Sequence, residues 1–133
     1  MQKFLFSCFL AVLGLSACHK SNDDNGTQVQ NNLPGGKWTV HYYWDKDKDE
    51  TSNFSGYSFD FQSNGTLTAT LPGGSTVSGT WTTSSTKLTI TISGTDDLDD
   101  LTDDWLIIEQ TDTLIKLKDD NDTHLEELHF EKN

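Results

Sequence analysis

From Leu33 onward, apolar and polar residues alternate with period two, the pattern of strands that bury one face and wet the other. Trp38, Val40, Tyr42 and Trp44 share one parity and outline a first strand, and Tyr57, Phe59 and Phe61 a second. Leu67, Ala69 and Leu71, then Val77, Gly79 and Trp81, then Leu88, Ile90 and Ile92 outline three more. Less regular runs over Trp105–Gln110, Leu114–Lys118 and Leu125–Glu131 bring the number to eight. The intervening Thr, Ser, Lys and Asp suit a solvated face. Asn64-Gly65 reads as a type I′ hairpin turn. Pro72-Gly73-Gly74, Thr83–Thr86, Asp112 and Asp119–Asp122 mark further tight connections. No ten-residue window carries a helical period, and Asp96–Asp104 has room for a single helical turn. Eight short-linked strands predict an all-β fold, an eight-stranded antiparallel up-and-down barrel whose closure hides the apolar face and removes the sheet edges. A β-sandwich with Greek-key crossings is the alternative.

The residues ahead of this domain read differently. Lys3 precedes an apolar run from Phe4 to Ala17, too short to span a bilayer core of about 30 Å but suited to a signal peptide. The run ends Leu15-Ser16-Ala17-Cys18, the order of a bacterial lipobox, with residues 1–17 removed and Cys18 lipidated. Cys8, the other cysteine, lies inside the removed run, so lipidation of Cys18 leaves no unpaired thiol. A multi-chain lipid on Cys18 would hold the protein to a membrane. Residues 18–32 hold one apolar side chain beyond the cysteine, Val29, and are expected to be a flexible tether. Lys20 followed by Asp23-Asp24 suggests the outer membrane, periplasmic or surface-facing, as the destination. The domain is expected to fill residues 33–133.

Charge narrows the function classes. The 133 residues carry 21 acids against 9 Lys and no Arg, a net charge of -12. Such a chain is a poor partner for a nucleic-acid backbone, so no nucleic-acid partner is expected. In an up-and-down barrel, loops after odd-numbered strands gather at the end far from the tether. That end would hold 13 of the 21 acids, including Asp45, Asp47, Asp49, Asp97, Asp100 and Asp119.

Gly36-Lys37-Trp38 on the first strand and Gly79-Thr80-Trp81 on the fourth resemble the lipocalin G-x-W signature. With Phe59-Asp60-Phe61-Gln62-Ser63-Asn64-Gly65-Thr66 and Thr113-Leu114, they make most of residues 33–133 similar to the lipocalin-like (calycin-like) domains of bacterial lipoproteins. The resemblance implies a barrel in the cell envelope. Larger lipocalins place an Arg over the first-strand Trp and add a C-terminal helix; this chain has no Arg and ends in a strand.

The aromatics suggest where a ligand could enter. Trp38, Phe61, Trp81 and Phe130 are expected to plug the lower barrel, and Trp44, Tyr57 and Trp105 to reach the far rim. The rim trio is the candidate binding set, a shallow aromatic mouth fringed by carboxylates for a small apolar molecule or a glycan. Asp45-x-Asp47-x-Asp49 alternates like a calcium loop, but Glu50 stands where an EF-hand needs Gly and Gly56 where it needs an acid. Weak calcium binding within Asp96–Asp104 is the looser alternative to a solvated acidic rim. His41, His124 and His129 form no metal-ligand spacing, and Ser75 lacks a nucleophile-elbow context. The expectation is therefore no catalytic residue, no structural metal and no cofactor. Two functions are open. One is a lipid-anchored, non-catalytic binding module; the other is a structural or interaction lipoprotein whose filled barrel presents acidic loops to a protein partner.

Overall fold

The computed structural model describes residues 25–121 and 123–133. In chain order these form α1 (Asn25–Asn32), β1 (Lys37–Asp45), β2 (Lys48–Asp49), a 3-10 turn (Thr51–Phe54), β3 (Ser58–Phe61), β4 (Thr66–Thr70), β5 (Thr76–Thr83), β6 (Lys87–Thr91), α2 (Asp96–Asp99), β7 (Asp103–Gln110), β8 (Leu114–Asp119) and β9 (Glu126–Lys132). Eight strands pair antiparallel in sequence order, and β1 pairs with β9 to close the barrel. The sequential order rules out Greek-key crossings. Two-residue β2 folds back on β1, pairing Trp44 with Asp49, and extends that strand's far end.

The interior is solid. Phe59, Phe61, Leu67, Ile90, Ile115 and Leu128 are wholly buried within one continuous core. A file of aromatic rings runs its length, from Tyr43 through Phe54, Tyr57, Phe59, Phe130 and Phe61 to Trp81, with neighbouring centroids 5.3–6.3 Å apart. Small barrels fill their lumen with side chains in this way.

Both ends are closed by helices. At the near end, α1 lies across the barrel with Val29 and the following Leu33 fully buried. Gly26 donates its N–H to the Ser85 carbonyl at 2.9 Å, and a Cβ there would fall on the Ser84 carbonyl oxygen. At the far end, Leu98 of α2 and Leu101 just after it are fully buried. Thr95 caps α2, its side chain accepting from the Leu98 N–H. Each cap is latched by an indole: Trp38 Nε1 donates to the Leu33 carbonyl at 2.8 Å, and Trp105 Nε1 to the Leu101 carbonyl at 3.0 Å.

Three features depart from the sequence pattern. Residues 18–32 read as tether, yet Asn25–Asn32 is helical, because one buried Val29 and a close glycine contact suffice to dock it. The apolar run and Cys18 lie outside the described residues. Second, the strict parity of Trp38, Val40, Tyr42 and Trp44 breaks at a bulge between Val40 and Tyr42. Tyr43 therefore points inward and is 2% exposed, while Trp44 turns outward. Third, Asn64-Gly65 does turn a hairpin, but only Gly65 has positive φ, at +88°, so the turn is not type I′. Gly65 instead donates to the Gln62 carbonyl at 3.0 Å.

The G-x-W pieces have physical roles. Gly36 lets the Lys132 stem pass, since a Cβ there would lie 2.9 Å from Lys132 Cδ. The Lys132 ammonium then sits 4.9 Å from the Trp38 ring centroid and donates to the Asn32 carbonyl at 2.9 Å. A lysine from the last strand thus stands over the first-strand Trp.

Candidate functional site

The far rim gathers carboxylates from four neighbouring strands. Asp103 opens β7, Asp119 ends β8, Glu126 opens β9 and Asp45 ends β1, opposite Glu126 in register. Oxygens of Asp103, Asp119 and Glu126 all lie within 4.8 Å of one another. Asp45 Oδ1 is buried without a hydrogen-bond partner. None of the four takes part in a salt bridge among the described residues.

Crowding like charges in a part-buried place favours the neutral acid. Burial pushes the Glu126 carboxyl up to about 7, and the charges of Asp45, Asp119 and Asp103 add to it. Burial likewise raises Asp103, and Asp100 beside Asp45 and Glu50. The Tyr43 hydroxyl, buried beneath Asp100, Glu126 and Asp45, is also pushed up. Of the residues in Asp96–Asp104, Asp103 alone belongs to this group; its companions come from β8 and β9.

The expected aromatic mouth does not form. Trp105 is wholly buried and latches the α2 cap. Trp44 lies outside the barrel, its Nε1 donating to the Lys46 carbonyl at 3.1 Å. Tyr57 is 7% exposed within the aromatic file, its hydroxyl 3.5 Å from Thr95 Oγ1. Of the three, Tyr57 lines the cleft in the barrel wall and Trp44 and Trp105 do not. The bulge moved Trp44, and the inward fold of the β6–β7 connection covered Trp105.

The open space lies in the barrel wall instead. β1 pairs with β3 only at Lys37 and Trp38, after which the strands part. The gap is a cleft of about 890 Å³, walled by Thr39 and Val40 on one side and by Ser55 and Ser58 on the other. Phe54 and Tyr57 form its base, and Thr51 and Asp49 stand at its far mouth. Thr51 is held there, accepting from the Tyr43 N–H at 2.8 Å and donating to Asp49 Oδ1 at 2.6 Å. A smaller space of about 420 Å³ opens where β5 outruns β6, near Ser78, Thr91 and Thr102. Neither gap could be read from the sequence, because both arise from unequal pairing of adjacent strands.

The outer wall of β8, β9 and β1 carries two histidine–carboxylate couples. His41 Nδ1 lies 3.0 Å from Glu131, and His129 Nε2 lies 2.6 Å from Glu127. His129 also packs on Tyr42 at 4.8 Å between ring centroids. Both histidines face outward, as strand parity predicts for His41 and His129.

The fold defines a closed, filled, eight-stranded antiparallel barrel. A solved structure, the NMR structure of the protein from Burkholderia xenovorans, is similar over 100% of this chain and 99% of that one, with a TM-score of 0.53 and 15% identity. At that identity the likeness speaks to fold alone. No protein-family model matches the chain, and no curated protein matches it. Among the described residues, no helix is long and apolar enough to cross a membrane.

Proposed function

We propose that this chain is a lipid-anchored envelope lipoprotein of the lipocalin-like kind, attached to the outer membrane through Cys18 and acting as a non-catalytic interaction module. The observation that carries the reading is the filled interior: with both ends capped and the core continuous, an interior ligand would have to displace core side chains. What remains for recognition is the outside of the barrel, and its most distinctive part is the acidic far end. The docking of α1 supports this orientation. From Cys18 to Asn25 the chain can reach at most about 25 Å, so the near end stays close to the anchor and the far end faces away.

A direct test has two parts. Cys18→Ser should release the protein from the membrane fraction; unchanged retention would defeat the anchor. A photo-cross-linking residue at Asp97 should give adducts with a protein partner where the same residue at Thr82 on the side wall gives none. Equal yields would defeat presentation by the far end. A second reading, a small molecule or glycan as the ligand, is favoured by the size of the lateral cleft and the hydroxyls of Ser52, Ser55 and Ser58 along it.

A further inference from the structure

We propose that the cleft between β1 and β3 receives an extended, basic peptide segment of a partner protein, which adds to the free edge of β1 as a short extra strand. This rests on the interaction reading above and gives it a place and a chemistry.

The pairing pattern shows the missing rung. The Lys37 carbonyl accepts from the Asn133 N–H and so faces β9. Alternation then turns the main-chain groups of Trp38 and Val40 toward β3. Trp38 finds Phe59 there. The next rung would join Val40 to Tyr57, but the Tyr57 N–H donates to the Phe54 carbonyl at 3.1 Å instead. The bulge after Val40 swings β1 farther away. On this side β1 meets protein again only at Tyr43, whose N–H is taken by Thr51 Oγ1 and whose carbonyl accepts from Glu50. No described residue pairs with this edge in between, and such an edge is a template for another chain.

The surroundings select the occupant. Phe54 and Tyr57 are 3% and 7% exposed, which leaves too little ring face for a sugar to stack on. Asp49 lines the cleft, and Asp47 and Glu50 belong to the same β1–β3 connection, so the incoming segment should be basic. A second copy of this chain, with its net charge of -12, would be repelled. Hydroxyls of Ser55 and Ser58 stand opposite the β1 edge to accept polar side chains.

The test is amide hydrogen exchange on the ¹⁵N-labelled full chain in detergent, read at Val40. The probes are the peptide Lys-Thr-Val-Thr-Val-Thr-Lys, its counterpart with Glu at both ends, and maltoheptaose. In the free protein the Val40 amide should exchange faster than the ladder amides of Leu67 and Ile90. The basic peptide, at about ten times its dissociation constant, should slow it about elevenfold, and the other two probes should not. Ser55→Lys, at an exposed position, should weaken the basic peptide at least about threefold by like-charge repulsion. A Val40 amide already protected in the free chain, or unmoved by millimolar basic peptide, overturns the proposal, as does slowing by maltoheptaose in its place. Partner adducts from Asp97 with a silent Val40 would leave the interaction reading standing and sink this one. Slowing at Val40 without Asp97 adducts would support it and move the contact from the loops to the cleft.

Discussion

The two ends of the barrel are built alike and charged differently. Each is closed by a short helix that lowers apolar residues into the lumen, Val29 and Leu33 at one end, Leu98 and Leu101 at the other. Each helix is tied down by a buried tryptophan donating to a main-chain carbonyl. The near helix, however, carries no charged side chain and its last carbonyl accepts from Lys132, whereas α2 and its C-cap carry Asp96, Asp97, Asp99 and Asp100, and the strands beneath bring Asp103, Asp119 and Glu126 together. The contrast separates what a cap needs from what this end adds. Closing the lumen requires apolar area and satisfied carbonyls, which the near end supplies with one lysine and no acid on its helix. The carboxylates of the far end do not help to close it and repel one another, so they are a cost to stability that the near end does without.

The largest effects should fall equally on both ends. Trp38→Ala and Trp105→Ala each remove a buried indole and its latch, at about 3–5 kcal/mol, and either should leave the domain unfolded or nearly so by thermal melting. Melting near wild type for one alone would show that the ends are not equivalent.

Gly26→Ala breaks the symmetry from the near side. Its Cβ meets the Ser84 carbonyl, so α1 must lift, at about 1–3 kcal/mol. Amide protection should fall at Val29 and stay unchanged at Leu98; loss at both would mean that the caps open together.

Acidity should distinguish the far end. Glu126 has its folded pKa raised from 4.5 to about 7, so its contribution favours folding below about pH 4.5 and is lost as pH rises through 7. Asp100 and Asp103, raised in the same direction, add to that trend. Glu126→Gln should therefore stabilise at about pH 8, by about 1 kcal/mol after solvent screening of a part-exposed group, and do nothing at about pH 4. Destabilisation at pH 8 would show the charged form to be favoured in the fold.

The smallest effect concerns cations. Millimolar calcium and sodium chloride of matched ionic strength should raise the melting temperature of wild type equally, by a few tenths of a kcal/mol in stability through screening of the rim. A calcium-specific rise, kept in Asp97→Asn and lost in Glu126→Gln, would make Asp103, Asp119 and Glu126 a metal site.

Strand order, the barrel and the loop sorting were legible in the sequence because each depends on local information. A two-residue period sets which side chains can share a face, and short links force neighbours to pair. That logic located Trp38, Phe61, Trp81 and Phe130 in the core, and it also put the acids at one end. It could not see the bulge after Val40, because an extra residue is recorded only in the pairing with β9; Tyr43 and Trp44 exchanged faces as a result. Nor could it see α1, whose polar residues make no helical period and whose docking depends on Ser84 and Ser85 lying beneath Gly26. The alternation of the chain determined that this protein would be a barrel with an acidic end. Only the tertiary structure decided that the lumen is full and that the opening lies between β1 and β3, because strand lengths and registers are fixed by packing across the whole sheet.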